Sequence, residues 1–197
     1  MIKLCANPRF AEFRDLLAAN RDLLKPWSGT LFRFQTVDFP APEDVLSGAG
    51  AKHRGGRWNP PGVAALYGST ADATALEESK ANDRYAGIVN RSPRLLVAVE
   101  ARLTRVLDLT SAPVRRAFGV TLTELTSEDW RKLMERGQES FTQALGRVVF
   151  QAGASGILAR SAAVVGVNVV VFPGNLGKEE SVTVVEGNKL RRLALKH

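Results

Sequence analysis

Residues 30–36 read TLFRFQT, and the alternation is that of a strand: Leu31, Arg33 and Gln35 share one face, Phe32 and Phe34 the other. With the phenylalanines turned to a core, Arg33 faces away from it. Upstream, Asn7-Pro8 has the form of a helix N-cap followed by proline at the first helical position. Phe10, Phe13, Leu16, Leu17, Leu23 and Leu24 follow at helical spacing, and Pro26 ends the run. This predicts an amphipathic helix over 8–24 that packs on, or extends, the main domain. The expected organisation is an N-terminal helical extension, 1–29, before a single domain, 30–197.

Downstream of the strand, residues 38–62 are rich in Pro and Gly and poor in regular signals. A loop of that length in a compact domain is usually functional or mobile. A short strand is expected over 63–69 and a helix over 71–85, with Asp72 as its N-cap. Segments 94–103 and 105–109 read as strands. In the helical middle, Ser127 is placed to cap EDWRKLMERG, and Gly153 closes a helix carrying Phe141, Leu145, Val148 and Val149. The end returns to strands at 156–160, 167–172 and 181–185, with KLRRLAL (189–195) as a further candidate. Strands and helices mix without regular alternation, and neither a glycine-rich dinucleotide fingerprint nor a Walker phosphate loop occurs. The expected class is therefore α+β, with mainly antiparallel sheets packed as a sandwich and flanking helices.

Composition narrows the function classes. The 197 residues suffice for one domain with a sizeable core, and 45% hydrophobic with 24% charged residues is ordinary for a globular chain. No apolar run reaches membrane-span length, and the N-terminus lacks the apolar stretch of a secretory signal. Cys5 stands alone and the histidines are two, His53 and His197, which argues against a disulfide framework or a structural metal. These features favour a cytoplasmic location. The net charge of +7 suits nucleic acid, an anionic small molecule or an acidic protein partner.

Several residues carry chemistry, each with an ordinary alternative. Arg33 is either a solvated strand residue or a fork of donors for a phosphate or carboxylate. GGRWNPPG (55–62) is either a rigid turn with Trp58 tucked inward or the floor of a site. In it the glycines permit close backbone approach, while Arg57 offers charge, Trp58 a flat face and Asn59 an amide. Tyr67 is a core-edge residue or a stacking platform. Glu77 and Glu78 point about 100° apart on a helix, so one of them at most faces a given cleft. Ser155 and Ser161 flank GILAR with no histidine or nucleophile elbow to make either a hydrolase serine. Asn168 opens the last apolar strand.

Taken in order, LFRF (31–34), GGRWNPPG (55–62), ALYGSTADATALEES (65–79) and GILARSAAVVGVNVVVF (156–172) resemble the RES domain family. That family supplies toxins of bacterial toxin–antitoxin systems whose antitoxins carry an Xre-like DNA-binding region. The resemblance implies an ADP-ribosyltransferase-like fold and cleavage of NAD+ between nicotinamide and ribose, with ADP-ribose passing to phosphate, water or protein. Residue by residue, it places Arg33, Arg57, Tyr67 and Asn168 at the NAD+ and Glu78, Arg57 and Ser161 in catalysis. The family glutamate follows the tyrosine by eleven positions, which selects Glu78; Glu77 stands where members often carry a small or apolar residue.

The implied chemistry suits these residue types. Arg33 and Arg57 would grip the pyrophosphate, and Tyr67 or Trp58 would stack on nicotinamide. Glu78 would stabilise the positive charge that develops on ribose, with Ser161 as a positioning residue. Nicotinamide leaves as a neutral molecule, so no general acid is required. NAD+ is then a substrate, with no cofactor and no metal. The implied partner is a cognate Xre-like antitoxin, with self-assembly and a toxin–antitoxin hetero-oligomer both compatible, and no direct nucleic-acid binding by the toxin alone. The rival classes are a non-catalytic module on the same fold and a nucleic-acid-binding protein.

Overall fold

The computed structural model describes residues 4–39, 41–88 and 93–187; the candidate strand at 189–195 and His197 lie outside them. Six strands form one continuous sheet: β1 (Leu24–Thr36), β2 (Leu66–Ser69), β3 (Arg94–Asp108), β4 (Gly156–Arg160), β5 (Val167–Val171) and β6 (Ser181–Val184). The order is β1-β2-β5-β4-β3, and pairing of β3 back onto β1 closes these five strands into a barrel. β6 adds to β3 at Val99–Arg102, short of the residues that pair with β4. The class is mixed and mainly antiparallel as expected, with β3–β4 the parallel pair. The expected sandwich gives way to a single curled sheet, because β3 is one 15-residue strand rather than two and is long enough to serve β1, β4 and β6 together.

Two apolar clusters follow from strand alternation. Leu31, Leu66, Val97, Val99, Leu103, Val169 and Val171 fill the barrel, with Val45 of helix α2 (Pro42–Ser47) packed against them. The outer face of β4 and β5, through Ile157 and Val170, packs with helices α1 (Phe10–Ala19) and α8 (Phe141–Gln151). The face assignment in TLFRFQT is thereby reversed. Leu31 is fully buried, and Arg33 shares its side, whereas Phe32 and Phe34 are only partly buried on the outside. The barrel interior was free to take the aliphatic face because α2 shields the polar end of it.

Several local signals also resolved differently. Pro26 does not end a helix; it sits at a register shift between Lys25 and Trp27 inside β1, where a missing N–H is tolerated. The helix stops at Ala19, and the boundary expected at 29/30 falls within β1. Asn7 and Asp72 accept backbone N–H groups of Arg9 and Ala73 but are not the N-cap residues. Residues 38–62 contain α2 and α3 (Ala49–Arg54). After α4 (Asp72–Tyr85) and β3, the crossover to the parallel strand β4 runs through α5 (Ala112–Ala117), α6 (Leu122–Ser127), α7 (Trp130–Glu135) and α8. Asp129, not Ser127, caps α7 by accepting Lys132 N–H, because Ser127 is the last residue of α6, whose start is held by a capping box of Thr121 and Glu124.

Glu180 pins the segment between β5 and β6 to β3. Oε1 accepts from Thr104 N–H and Oγ, each at 2.7 Å, and Oε2 accepts from Gly177 N–H at 2.7 Å and Arg105 Nη2 at 3.1 Å. Burial pushes this carboxyl up, yet the donors from Gly177 and Thr104 prevail and hold it at about 2. A depressed carboxyl stabilises the fold above its unfolded value near 4.5, and that contribution fades as pH falls toward 2. Glu180→Gln should therefore lower Tm at neutral pH and flatten the pH dependence of Tm between these limits, as read by thermal melts across pH 2 to 7.

Candidate active site

The GGRWNPPG segment folds as a tight turn. Gly56 N–H donates to Asn59 O at 2.9 Å and Asn59 N–H returns to Gly56 O at 3.4 Å, leaving Arg57 and Trp58 at the two central positions. Trp58 goes into the core and Asn59 is fully buried. The Asn59 amide donates to Ala51 O and Val63 O at 2.9 and 2.8 Å, and its Oδ1 accepts the Tyr67 hydroxyl at 2.7 Å. That hydroxyl in turn accepts Trp58 N–H at 2.9 Å. A Cβ on Gly56 would lie 2.5 Å from the Tyr67 oxygen, so only glycine lets the turn close on it. Burial raises the Tyr67 hydroxyl above its ordinary range, keeping it neutral and a donor.

Helix α8 completes the clamp. Gln143 Nε2 donates to Gly56 O at 3.1 Å, and a Cβ on Gly146 would come within 1.9 Å of Trp58 O. The turn backbone thus rests directly on α8. Gly146→Ala is expected to push the turn off the helix at a loss of about 1–3 kcal/mol, checked by denaturant titration, with faster amide exchange at residues 56–59.

Arg57 points the other way from Trp58. Its Nη1 donates to Leu125 O and Glu128 O, both at 3.0 Å, where α6 ends with unsatisfied carbonyls. A cation there also meets the negative end of the helix dipole. Burial lowers the guanidinium pKa, opposed by the charges of Glu128 and then Glu78. Nε and Nη2 make no hydrogen bond to the described residues.

Glu78 is the hub of the polar cluster. Its Oε1 accepts from Ser161 Oγ at 2.6 Å and from Asn168 Nδ2 at 2.5 Å. Ser69 Oγ donates to Asn168 Oδ1 at 2.7 Å, which fixes how that amide is turned. Ser161 Oγ also accepts Ala163 N–H at 3.1 Å and Val164 N–H at 3.3 Å, so its proton is directed at the carboxylate. The Ser161 hydroxyl is thus committed to Glu78 as a donor and to two backbone amides as an acceptor. Glu78 Oε2 has no hydrogen bond to the described residues. Glu77 instead pairs with Lys80 at 2.6 Å along α4, so the carboxylate joining the cluster is Glu78.

Sheet register explains the assembly. Ser69 pairs with Asn168 and Asn168 with Ala159, so their side chains share the outer face with Tyr67, and Ser161 follows Ala159 by two. α4 packs on β1 and β2 and carries Glu78 to that face. Arg33 is not brought there. It pairs with Val97 on the barrel side, donates to Val45 O at 3.0 Å and Gln35 Oε1 at 2.9 Å, and ties α2 to the sheet. Burial lowers its pKa to about 10, which leaves it charged at neutral pH. Ser155 is also structural, donating to Arg105 O at 3.0 Å.

Four contributors escaped sequence reasoning. Ser69, Gln143 and Gly146 act through partners far along the chain, and no local pattern marks them. Arg131, on α7, stands over the rings of Trp130 and Tyr85 and interacts electrostatically with Glu78 and Tyr67. Among the described residues, no group of three His, Cys, Asp or Glu side chains could hold a metal, and no helix is long and apolar enough to cross a membrane.

Proteins of known kind share this architecture. The chain is 30% identical over 166 residues to proteins named NAD(+) phosphorylase MbcT from Mycobacterium tuberculosis and Mycobacterium bovis, covering 79% of this chain and 82% of each relative. The toxin–antitoxin complex of Mycobacterium tuberculosis MbcT with MbcA contains a chain that superposes with a TM-score of 0.62 at 22% identity, covering 96% of this chain and 98% of that one. The model of the RES domain matches residues 30–193, and the chain belongs to the RES domain family.

Proposed function

We propose that this protein is the toxin of a bacterial toxin–antitoxin system and acts by breaking the nicotinamide–ribose bond of NAD+, passing ADP-ribose to phosphate or water. The observation that carries the proposal is the Glu78 carboxylate, held on one oxygen by Ser161 and Asn168 with the other oxygen open, beside the Arg57 guanidinium. As the glycosidic bond stretches, its electron pair goes to the pyridinium nitrogen and positive charge appears on ribose. A fixed carboxylate stabilises that charge more than it does the ground state. Phosphate oxygen then bonds to the ribose carbon, giving ADP-ribose phosphate and neutral nicotinamide. Arg57, with two nitrogens uncommitted, binds the pyrophosphate, and the Tyr67 ring borders the nicotinamide while its hydroxyl holds the turn.

The name carried by the 30%-identical relatives supports the reaction, and the complex in which MbcT is bound by MbcA supports an antitoxin partner. An Xre-like type for that partner, an ADP-ribosyltransferase-like fold and a cytoplasmic location belong to the same proposal. They rest on the motifs shared with the RES domain family, to which the chain belongs. Induced expression in a bacterium should arrest growth and deplete cellular NAD+, while the Glu78→Gln chain does neither. Growth arrest with intact NAD+ and newly ADP-ribosylated proteins would replace this reading by protein modification.

A further inference from the structure

Arg131 interacts electrostatically with Glu78 and Tyr67 and has its donors largely unspent. Its guanidinium lies 4.4 Å from the Trp130 ring centroid and 4.6 Å from that of Tyr85, and Nη2 donates to Asn82 Oδ1. Asn82 and Tyr85 follow Glu78 on α4 by four and seven residues, which puts all three on one helix face. The guanidinium is therefore held on the Glu78 face of α4, toward the C-terminal end of that helix, and the Glu78 charge acts on it. Nε and Nη1 make no hydrogen bond to the described residues.

No carboxylate lies within ion-pair distance of Arg131 among the described residues. Two aromatic rings and one amide hold its plane without neutralising it. A partly buried cation in that setting gains most from an incoming anion, and an arginine fork matches phosphate oxygens in pairs. Arg33, by contrast, faces the barrel, where Nη1 and Nη2 are bonded to Val45 O and Gln35 Oε1. Arg57, bound to the α6 carbonyls, and Arg131, on α7, are two cations that interact electrostatically with Glu78.

We propose that Arg131 is a phosphate-binding residue, using Nε and Nη1 to grip a phosphoryl group on the Glu78 side of α4. This rests on the NAD+ reading for its role in turnover but not for anion binding itself. The phosphoryl group is either the free phosphate acceptor or the dinucleotide pyrophosphate, and kinetics separate the two. With NAD+ and phosphate each varied, Arg131→Gln should raise one KM by about tenfold or more, with a smaller change in kcat. A rise confined to phosphate, with phosphate-free hydrolysis intact, identifies the acceptor. A rise for NAD+ in both reactions identifies the pyrophosphate. Arg131→Lys, which keeps the charge but loses the fork, should recover part of the loss and serves as the test if the glutamine chain does not fold. Two unchanged KM values in a folded variant overturn the proposal. If the wild-type chain cleaves no NAD+, thermal melts with inorganic phosphate and with pyrophosphate decide. Stabilisation of wild type but not of Arg131→Gln upholds the anion site and removes the NAD+ reading alone; absent or equal stabilisation overturns the site.

Discussion

Glu78→Gln is expected to reduce nicotinamide release by about a thousandfold while the protein keeps its fold, because it removes charge stabilisation that matters only in the transition state. Glutamine preserves size, and its carbonyl oxygen can still accept from Ser161 or Asn168, so the far-UV spectrum and Tm should change little. The loss should lie in kcat rather than in KM for NAD+. Glu77→Gln is the matched control. Its carboxylate pairs with Lys80 along α4, and nicotinamide release should be unchanged. Full activity in a folded Glu78→Gln chain would remove the role given to that carboxylate. Loss in the Glu77 variant instead would place the catalytic group one residue earlier.

Arg57→Ala is expected to lower kcat/KM for NAD+ by about a hundredfold, through loss of charge-assisted contacts to the substrate. It should also destabilise the protein by about 1–3 kcal/mol, because Leu125 O and Glu128 O lose their donor at the end of α6. The two effects separate in Arg57→Lys. An ammonium can reach one carbonyl and restore part of the stability, but it cannot hold a helix end and a pyrophosphate together as the planar fork does. Stability recovered without activity is therefore the expected pattern for lysine, read by melts and steady-state kinetics on the same preparations. A variant with wild-type kinetics would mean that Arg57 serves the α6 contact alone.

Much of the architecture was legible where the pattern is local. GILAR is β4 residue for residue, and α4 spans the expected 71–85 but for its first position, since alternation and helical spacing reflect nearby geometry. Family resemblance named Arg57, Tyr67, Glu78, Ser161 and Asn168; of these, Tyr67, Ser161 and Asn168 share the outer face of the sheet, where Ser161 and Asn168 meet the Glu78 carboxylate. Arg33 went astray because alternation tells which residues share a face but not which face is inside. Leu31 and the covering helix α2 decided that, and α2 lay in a stretch read as loop. Trp58 and Asn59 could not be divided into ligand and scaffold until Gln143 and Gly146, more than eighty residues later, were seen to hold the turn. Arg131 carried no local mark, because its place depends on α7 docking against α4 through Tyr85 and Asn82.

The most direct measurement is product analysis by mass spectrometry after incubating the purified chain with NAD+, with and without inorganic phosphate. Nicotinamide is expected in both reactions, joined by ADP-ribose phosphate when phosphate is present and by ADP-ribose when it is absent. Intact NAD+ in both, from a protein that melts cooperatively, would contradict this.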